Sequence, residues 1–216
     1  MDQWEVHPQV NEGETRTLLL MRHGPTQWNL EHRYNSRTDI SLVLGESPNL
    51  AMHASVIKKF DVKRIISSPA KRAVETANFV REVQEFLPNR CNVWPELHEV
   101  DFGNFEGNTK IELKKSDLAP QYENWMNSDK TAAIPPSGES WDSVLSRINA
   151  TFQRVQSLDE NLILVSHGYF IRCLVSFAVG VRPSKGVRMI STENYGLFRL
   201  KFSAGSKPKL ASPLIV

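Results

Sequence analysis

The 216-residue sequence predicts a three-layer α/β fold, in which helices cover both faces of a mostly parallel central sheet. Two observations favour this class. Short apolar runs, which are typical of buried strands, alternate along the chain with longer segments whose apolar residues recur every three or four positions. Residues 161–166 (NLILVS) also form a continuous apolar run, as expected for a strand that is covered on both faces.

The first half of the chain is predicted to contain three strands and two helices. Strands are expected over residues 17–21, 61–66 and 91–97, where short apolar runs end near turn-forming residues. Helices are expected over residues 49–60 and 69–87, where apolar residues recur at helical spacing. The second helix has proline in its first turn, a position at which the missing N–H costs least.

The second half of the chain continues this alternation. A long helix is expected just after residues 137–140, and its buried stripe is predicted to comprise Trp141, Leu145, Ile148, Phe152 and Val155. The strand at residues 161–166 gives way to an apolar helix that runs through Phe177. Residues 195–202 are predicted to form the last strand, with a Lys-Pro-Lys tail after it.

Composition and charge exclude several classes of protein. The chain has 26 basic and 24 acidic residues, a balance that argues against partners such as nucleic acid or a membrane. The longest apolar stretch, residues 171–181, is about half the length that a bilayer requires. Residues 1–16 are polar and acidic and lack the pattern of a signal peptide. We therefore expect a cytoplasmic protein with a single domain over residues 1–216, of which residues 1–16 form an N-terminal extension.

Two histidines occupy positions at which α/β proteins bind ligands, namely the carboxyl ends of predicted strands. His23 follows the first strand and His167 follows the strand at residues 161–166, and each is followed directly by glycine. Arg22 precedes one of them, and Arg72 lies one turn into the helix after another strand. These four groups could form one phosphate-binding site. Nothing in the composition requires it, because a lone histidine is more often a turn or core residue.

Five blocks of the sequence resemble, in order, the motifs of the histidine phosphatase (phosphoglycerate mutase-like) superfamily. The first, residues 20–29 (LMRHGPTQWN), resembles the Arg-His-Gly signature of that family. The others are similar to its second-arginine motif, its acid-donor block, the start of its late helix and its second-histidine motif. They comprise residues 67–77, 97–107, 138–141 and 165–168. The resemblance covers nearly the whole chain and implies one histidine phosphatase domain with the phosphoglycerate mutase-like fold.

The resemblance also implies a role for each matching residue. His23 would be the nucleophile that becomes a phosphohistidine, which requires a neutral imidazole whose second nitrogen donates to a backbone carbonyl. Glu99 would be the general acid and then the base that activates water. The phosphoryl oxygens would be held by Arg22, Asn29, Arg72 and His167. A cationic pocket suffices for this chemistry, so neither a metal nor a cofactor is expected.

The assignment of the general acid leaves two competitors, Glu96 and Glu106, although the family pattern favours Glu99 and a structural role for Glu106. Glu99 must be protonated near neutral pH, so burial has to raise its pKa against the effect of the surrounding arginines. The sequence leaves open which influence on this pKa is larger.

The substrate-binding part of the pocket is expected in the loop at residues 33–42 and in a cap at about residues 108–137. The chain departs from the family pattern at Pro25, Ser36 and Ser41, where members usually carry Glu, Gly and Pro. Because of these departures, the sequence does not identify the substrate. The candidate pocket residues are Arg33, Tyr34, Arg37 and Trp125.

The insertion after the acid-donor block favours hydrolysis over mutase chemistry. About 30 residues separate Gly107 from Gly138, whereas the cofactor-dependent phosphoglycerate mutases that the chain resembles carry a longer insertion. A shorter cap leaves water better access to the phosphorylated intermediate. We therefore predict a metal-independent phosphatase of a small phosphorylated metabolite, such as a sugar phosphate, a phosphoglycerate or a nucleotide-derived ester.

Two other functions remain open at this point. The first is mutase-type phosphoryl transfer, and the second is a catalytically silent module that binds anions. The oligomeric state is also open, with a homodimer as one expectation.

Overall fold

Strands and helices alternate along the chain, as the sequence predicts. The computed structural model describes residues 15–43, 53, 55–83, 91–127, 135–180, 187, 190–203 and 209–214. The strands are β1 (Thr15–Arg22), β2 (Arg64–Ser67), β3 (Asn92–Val93), β4 (Leu162–Ser166), β5 (Leu197–Ser203) and β6 (Lys209–Leu214). The helices are α1 (Gln27–Leu30), α2 (Lys71–Val83), α3 (Lys110–Lys114), α4 (Ala119–Asn127), α5 (Trp141–Ser157) and α6 (Gly168–Ala178).

The six strands form one sheet in the order β3-β2-β4-β1-β5-β6. β4 lies parallel to both β1 and β2, and β2 lies parallel to β3. β5 runs antiparallel to β1, and β6 runs antiparallel to β5. The carboxyl ends of β1, β2 and β4 therefore meet at one edge, where Arg22 is paired with Ser166. This topology confirms the predicted mostly parallel sheet.

Both faces of the sheet are covered by helices, because alternate residues of each strand point to opposite sides. On one side Leu18, Leu20 and Leu164 pack in one core cluster with residues of α5 and α6. On the other side Leu19 and Met21 pack in a second cluster with residues of α2. The predicted three-layer architecture is confirmed.

The predicted helices are confirmed over most of the described residues, although α2 begins at Lys71, so Pro69 lies before the helix and not in its first turn. In the stripe predicted for α5, Ile148, Phe152 and Val155 are buried, whereas Trp141 and Leu145 are partly buried. Part of the helix predicted over 49–60 is observed at residues 53 and 55–57, followed by a 3-10 turn at Lys58–Phe60. Residues 49–52, 54 and 84–87 of the two predicted N-terminal helices lie outside the described residues. No helix in the described ranges is long and apolar enough to cross a membrane.

The predicted strands need several corrections. β2 begins at Arg64 and not at residue 61, and β5 begins at Leu197 and not at residue 195. The strand expected at 91–97 is reduced to two residues and continues into a 3-10 turn at Pro95–Leu97, since proline cannot donate a ladder hydrogen bond. β1 begins at Thr15, so it includes two residues that were assigned to the extension. β6 lies in the tail that the sequence analysis left without structure. Its sequence KLASPL has little strand pattern, and it forms at the sheet edge, where Pro213 is tolerated.

Candidate active site

His23 lies at the carboxyl end of β1, where its backbone N–H donates to the Ser166 carbonyl of β4 at 2.9 Å. Its imidazole is 4% exposed, and Nδ1 lies 2.6 Å from the carbonyl oxygen of Gly24. A carbonyl oxygen can only accept a hydrogen bond, so a neutral His23 carries its proton on Nδ1. Nε2 is therefore the nitrogen with a free lone pair. This is the contact that a phosphohistidine mechanism requires.

The surroundings of His23 also keep its imidazole neutral. Burial, together with the positive charges of Arg22 and Arg72, lowers the pKa of His23 well below its ordinary value of 6.5. The unprotonated, nucleophilic form is consequently present at neutral pH.

His167 is the N-cap residue of α6 and is fully buried beside His23, with 5.1 Å between the two ring centroids. Its Nε2 lies 2.8 Å from the Ser68 hydroxyl oxygen, whereas its Nδ1 is buried without a protein partner. Burial, the positive charge of Arg72 and the neighbouring His23 lower the pKa of His167 well below 6.5. Both histidines are thus neutral in the free protein.

Two arginines flank the histidines and are held by backbone carbonyls. Arg22 donates from Nη1 to the Thr192 carbonyl at 2.5 Å. The fully buried Arg72 donates to the carbonyls of Ser36 and Thr38, at 3.0 and 3.1 Å. The Nε atoms of both arginines are buried without a protein acceptor. Burial lowers the pKa of both guanidinium groups, and the nearby Glu99 carboxylate raises it.

Glu106 holds the loop whose carbonyls hold Arg72. Its Oε1 accepts backbone hydrogen bonds from Ser36, Arg37 and Thr38, and its Oε2 accepts the Ser36 hydroxyl at 2.6 Å. Burial would raise the pKa of Glu106, but these hydrogen bonds together lower it. Glu106 is therefore occupied by loop contacts, in agreement with its expected structural role.

Glu106→Gln is expected to loosen this loop and so misplace Arg72. Because the pKa of Glu106 is lowered in the folded protein, its ionised carboxylate stabilises the fold at pH values above the ordinary pKa of 4.5. This contribution is lost as the pH falls through the folded-state pKa. The variant should therefore melt at a lower temperature than wild type at pH 7, by a difference that shrinks towards pH 4, and should show a raised KM. Thermal melting at both pH values checks this, with the exposed Glu123→Gln as the control. A pH-independent difference would contradict it.

Glu99 lies outside α6 but is buried against the N-terminus of that helix, next to the histidines. Its Oε1 accepts the backbone N–H groups of Val100 and Phe170 at 2.9 Å, and its Oε2 accepts that of Tyr169 at 3.0 Å. Burial raises the pKa of Glu99 and outweighs these hydrogen bonds and the charge of Arg72, which lower it. The sequence left open whether burial or the arginines have the larger effect on the pKa of Glu99. In the structure burial has the larger effect, which favours the protonated form.

The segment that carries Glu99 is fixed by Arg147 of α5. Its Nη1 donates to the carbonyls of Glu96 and His98 at 2.6 and 2.9 Å, and its Nη2 is paired with Glu139 at 2.7 Å. Glu96, the other competing acid, is paired with Arg154 at 2.8 Å. Of the three candidate acids, Glu99 is the one that lines the pocket beside His23.

Asn29 lies on α1 and also lines this pocket. Its Oδ1 accepts hydrogen bonds from the Thr26 backbone and hydroxyl, at 3.0 and 3.1 Å, and from Asn194 Nδ2 at 3.2 Å. These three donors fix the oxygen end of the carboxamide. The Nδ2 end is therefore the part of Asn29 that can donate to a ligand.

The four candidate substrate residues divide into two pairs. Arg33 and Tyr34 line the pocket, although Arg33 is already paired with Glu31 and Glu112. Arg37 is exposed, paired with Asp101 at 3.1 Å, and outside the described lining. Trp125 is buried in an aromatic cluster behind that lining, with its ring 5.7 Å from Tyr34. Substrate contact by these residues stays a prediction.

Sequence reasoning missed several pocket residues, because a motif or a loop does not show which of its other side chains face the pocket. The lining also includes Asn35, Phe102, Tyr169 and Arg172. In addition, Thr192, Asn194 and Tyr195 contact residues 22–24, a segment that is called the catalytic loop below. No motif in the sequence indicates these contacts. Among the described residues, no three His, Cys, Asp or Glu side chains are arranged to hold a metal ion.

Comparison with known proteins decides the family. The profile of the histidine phosphatase superfamily (branch 1) matches residues 18–211. The chain belongs to this superfamily. The histidine phosphatase superfamily is thus confirmed as the family that the five sequence blocks predict, and with it the class of enzyme at the level of the family.

Relatives within the histidine phosphatase superfamily carry both mutase and phosphatase names. A protein of Proteus mirabilis named probable phosphoglycerate mutase GpmB is 29% identical over 206 residues, covering 92% of this chain and 90% of its own. The alpha-ribazole phosphatase of Shigella flexneri has a TM-score of 0.76 at 24% identity, covering 91% and 95% of the two chains. Phosphoserine phosphatase of Entamoeba histolytica, solved with 3-phosphoglyceric acid, has a TM-score of 0.76 at 24% identity, covering 92% and 96%. These structures share the fold.

Proposed function

We propose that this protein is a metal-independent phosphomonoesterase that acts on a small phosphorylated metabolite through a phosphohistidine on His23. One observation carries the proposal. Three nitrogens around the neutral imidazole, namely Arg22 Nε, Arg72 Nε and His167 Nδ1, are buried without protein partners. An unpartnered buried polar group costs about 1–3 kcal/mol. Three such groups beside one nucleophile are expected where a phosphoryl group supplies the acceptors.

In the first step, the lone pair of His23 Nε2 attacks phosphorus and the bond between phosphorus and the ester oxygen breaks. Glu99 transfers its proton to the departing oxygen, so the product leaves as a neutral alcohol. In the second step, Glu99 takes a proton from water while the water oxygen attacks the phosphohistidine. The P–N bond breaks, inorganic phosphate leaves, and both His23 and Glu99 return to their initial states.

The hydrogen bonds of Glu99 support one site for the catalytic proton. Oε1 accepts two backbone N–H groups, which use both of its lone pairs, whereas Oε2 accepts one. Oε2 therefore retains the lone pair that can hold a proton. We assign the proton transferred to the leaving group to this oxygen.

Mutase chemistry is the second candidate, favoured by the relatives that are named phosphoglycerate mutase. It would use the same His23 and Glu99 but return the phosphoryl group to a second hydroxyl of the bound substrate. The short segment between the acid block and α5 favours water as the acceptor.

Phosphate release from a panel of esters in the presence of EDTA tests both candidates. The panel contains 3-phosphoglycerate, O-phosphoserine, sugar phosphates and nucleoside monophosphates, with the 2-phosphoglycerate content followed in parallel. We expect phosphate release that EDTA leaves unchanged, and little 2-phosphoglycerate. Formation of 2-phosphoglycerate without phosphate release would favour the mutase instead.

A further inference from the structure

Asn194 contacts the catalytic loop from the far end of the sequence. Its Nδ2 lies 3.0 Å from the His23 carbonyl, 3.1 Å from the Gly24 carbonyl and 3.2 Å from Asn29 Oδ1. Two of these three atoms are backbone carbonyl oxygens, which can only accept hydrogen bonds. The donating NH2 end of Asn194, and not its oxygen, must therefore face the loop. One side-chain amide thus connects the nucleophile His23 to Asn29, a residue that is predicted to bind the phosphoryl group.

The Gly24 carbonyl links Asn194 to the state of the His23 ring. The same oxygen accepts both from Asn194 Nδ2 and from His23 Nδ1. Without the Asn194 amide, the Gly24 carbonyl would lose one of its two donors, and the acceptor that selects the Nδ1–H tautomer would be held less firmly. In the other tautomer Nε2 carries the proton and has no lone pair for phosphorus.

The contact with Asn29 acts on a second residue of the pocket. Asn194 donates to the Oδ1 atom of Asn29, whose other donors come from Thr26. A donor at this place disfavours the flipped carboxamide, in which two NH2 groups would meet. Asn29 therefore keeps its NH2 end available to a phosphoryl oxygen.

The backbone next to Asn194 is built to hold this position. Tyr195 has a positive φ of 62°, which is uncommon for an aromatic residue, and its N–H donates to the Arg22 carbonyl at 3.1 Å. Its ring lies against Gly24 so closely that a Cβ there would be 2.4 Å from the ring atoms. The turn is therefore held against the catalytic loop by both the backbone and the ring of the residue next to Asn194.

We propose that Asn194 is a positioning residue, which holds His23 in its reactive tautomer and Asn29 in its donating orientation through one amide group. The proposal rests on the proposed function where it concerns catalysis. Its effect on the His23 tautomer is a property of the free protein and can be measured without any substrate.

The test compares Asn194→Ala and Asn194→Asp with wild type and with Asn149→Ala, a matched control on α5 away from the pocket. In ¹⁵N-histidine NMR spectra, with the His23 signals assigned through His23→Ala, we expect the Nδ1–H form in wild type and control. Asn194→Ala should show a mixture of tautomers. With p-nitrophenyl phosphate, kcat should fall by up to about 100-fold with little change in KM, as expected when a reacting group is misplaced by about 1 Å.

Asn194→Asp keeps the shape but places a carboxylate among oxygen acceptors, so its kcat should fall further than that of Asn194→Ala. Should either variant fail to fold, Asn194→Ser, which retains one donor, should give an intermediate kcat. A wild-type tautomer and a kcat within twofold of wild type in Asn194→Ala would overturn the proposal, as would a lowered melting temperature alone. A tautomer shift in a protein without phosphatase activity would instead reject the proposed function and retain the positioning role.

Discussion

Replacing His23 with alanine is expected to abolish the release of phosphate from every ester that the wild type hydrolyses. The variant removes Nε2, the atom that forms the bond to phosphorus, and the described pocket offers no second nitrogen with the same tautomer constraint. Loss of a nucleophile that works together with its partner groups costs on the order of 10⁴-fold or more in kcat. Phosphate release in the presence of EDTA measures the loss, and mass spectrometry of the protein quenched in alkali, in which a phosphohistidine survives, should detect a phosphoryl group in wild type alone.

His32→Asn is a suitable control for this variant. His32 is exposed, and its positive φ of 58° is one that asparagine tolerates. The control should retain wild-type activity. Hydrolysis by His23→Ala at a rate close to wild type would contradict the phosphohistidine mechanism. If neither the wild type nor His23→Ala released phosphate but both bound inorganic phosphate, the catalytically silent anion-binding module would become the better interpretation.

Glu99→Gln is expected to separate substrates by their leaving groups. An alkoxide leaves poorly without a proton, so hydrolysis of O-phosphoserine or a sugar phosphate should slow by about 10²–10⁴-fold. p-Nitrophenyl phosphate releases a phenolate that needs no proton, and its cleavage should slow much less. Because burial raises the pKa of Glu99, the wild type should also lose kcat/KM for alkyl substrates as the pH rises through that pKa. The variant should lack this alkaline limb.

Glu96→Gln tests the same residue type a few positions away. Glu96 is paired with Arg154, so both substrate classes should be cleaved at wild-type rates. Equal losses on both classes in Glu99→Gln would argue against Glu99 as the acid.

Much of the fold could be predicted because its signals are local. The apolar run of β4 and the spacing of Ile148, Phe152 and Val155 on α5 each specify an element from a few neighbouring residues. β6 could not be predicted, since its sequence KLASPL has no clear strand pattern and becomes a strand through pairing with β5. At Pro95–Leu97 a strand was predicted and a 3-10 turn is observed. Pro95 has no N–H to donate to a neighbouring strand, so the strand ends before it.

The candidate site divides in a similar way. His23, Arg72, Glu99 and His167 were identified because each lies in a motif of contiguous residues. Asn194 carried no such signal, since its three partners are 165 to 171 positions away. Arg37 and Trp125 were selected because they lie in the predicted pocket loop and cap. In the structure Arg37 is exposed and paired with Asp101, and Trp125 is buried beside Tyr34.

The sequence by itself indicated the alternation of the main strands and helices, the family and the candidate site residues, because these depend on local periodicity and contiguous motifs. The tertiary structure alone decided the states of those residues. Burial beside two arginines makes His23 neutral, the Gly24 carbonyl selects its tautomer, and burial makes Glu99 the stronger candidate for a protonated acid. A pKa and a tautomer depend on desolvation and on partners brought together by folding, which no stretch of neighbouring residues contains.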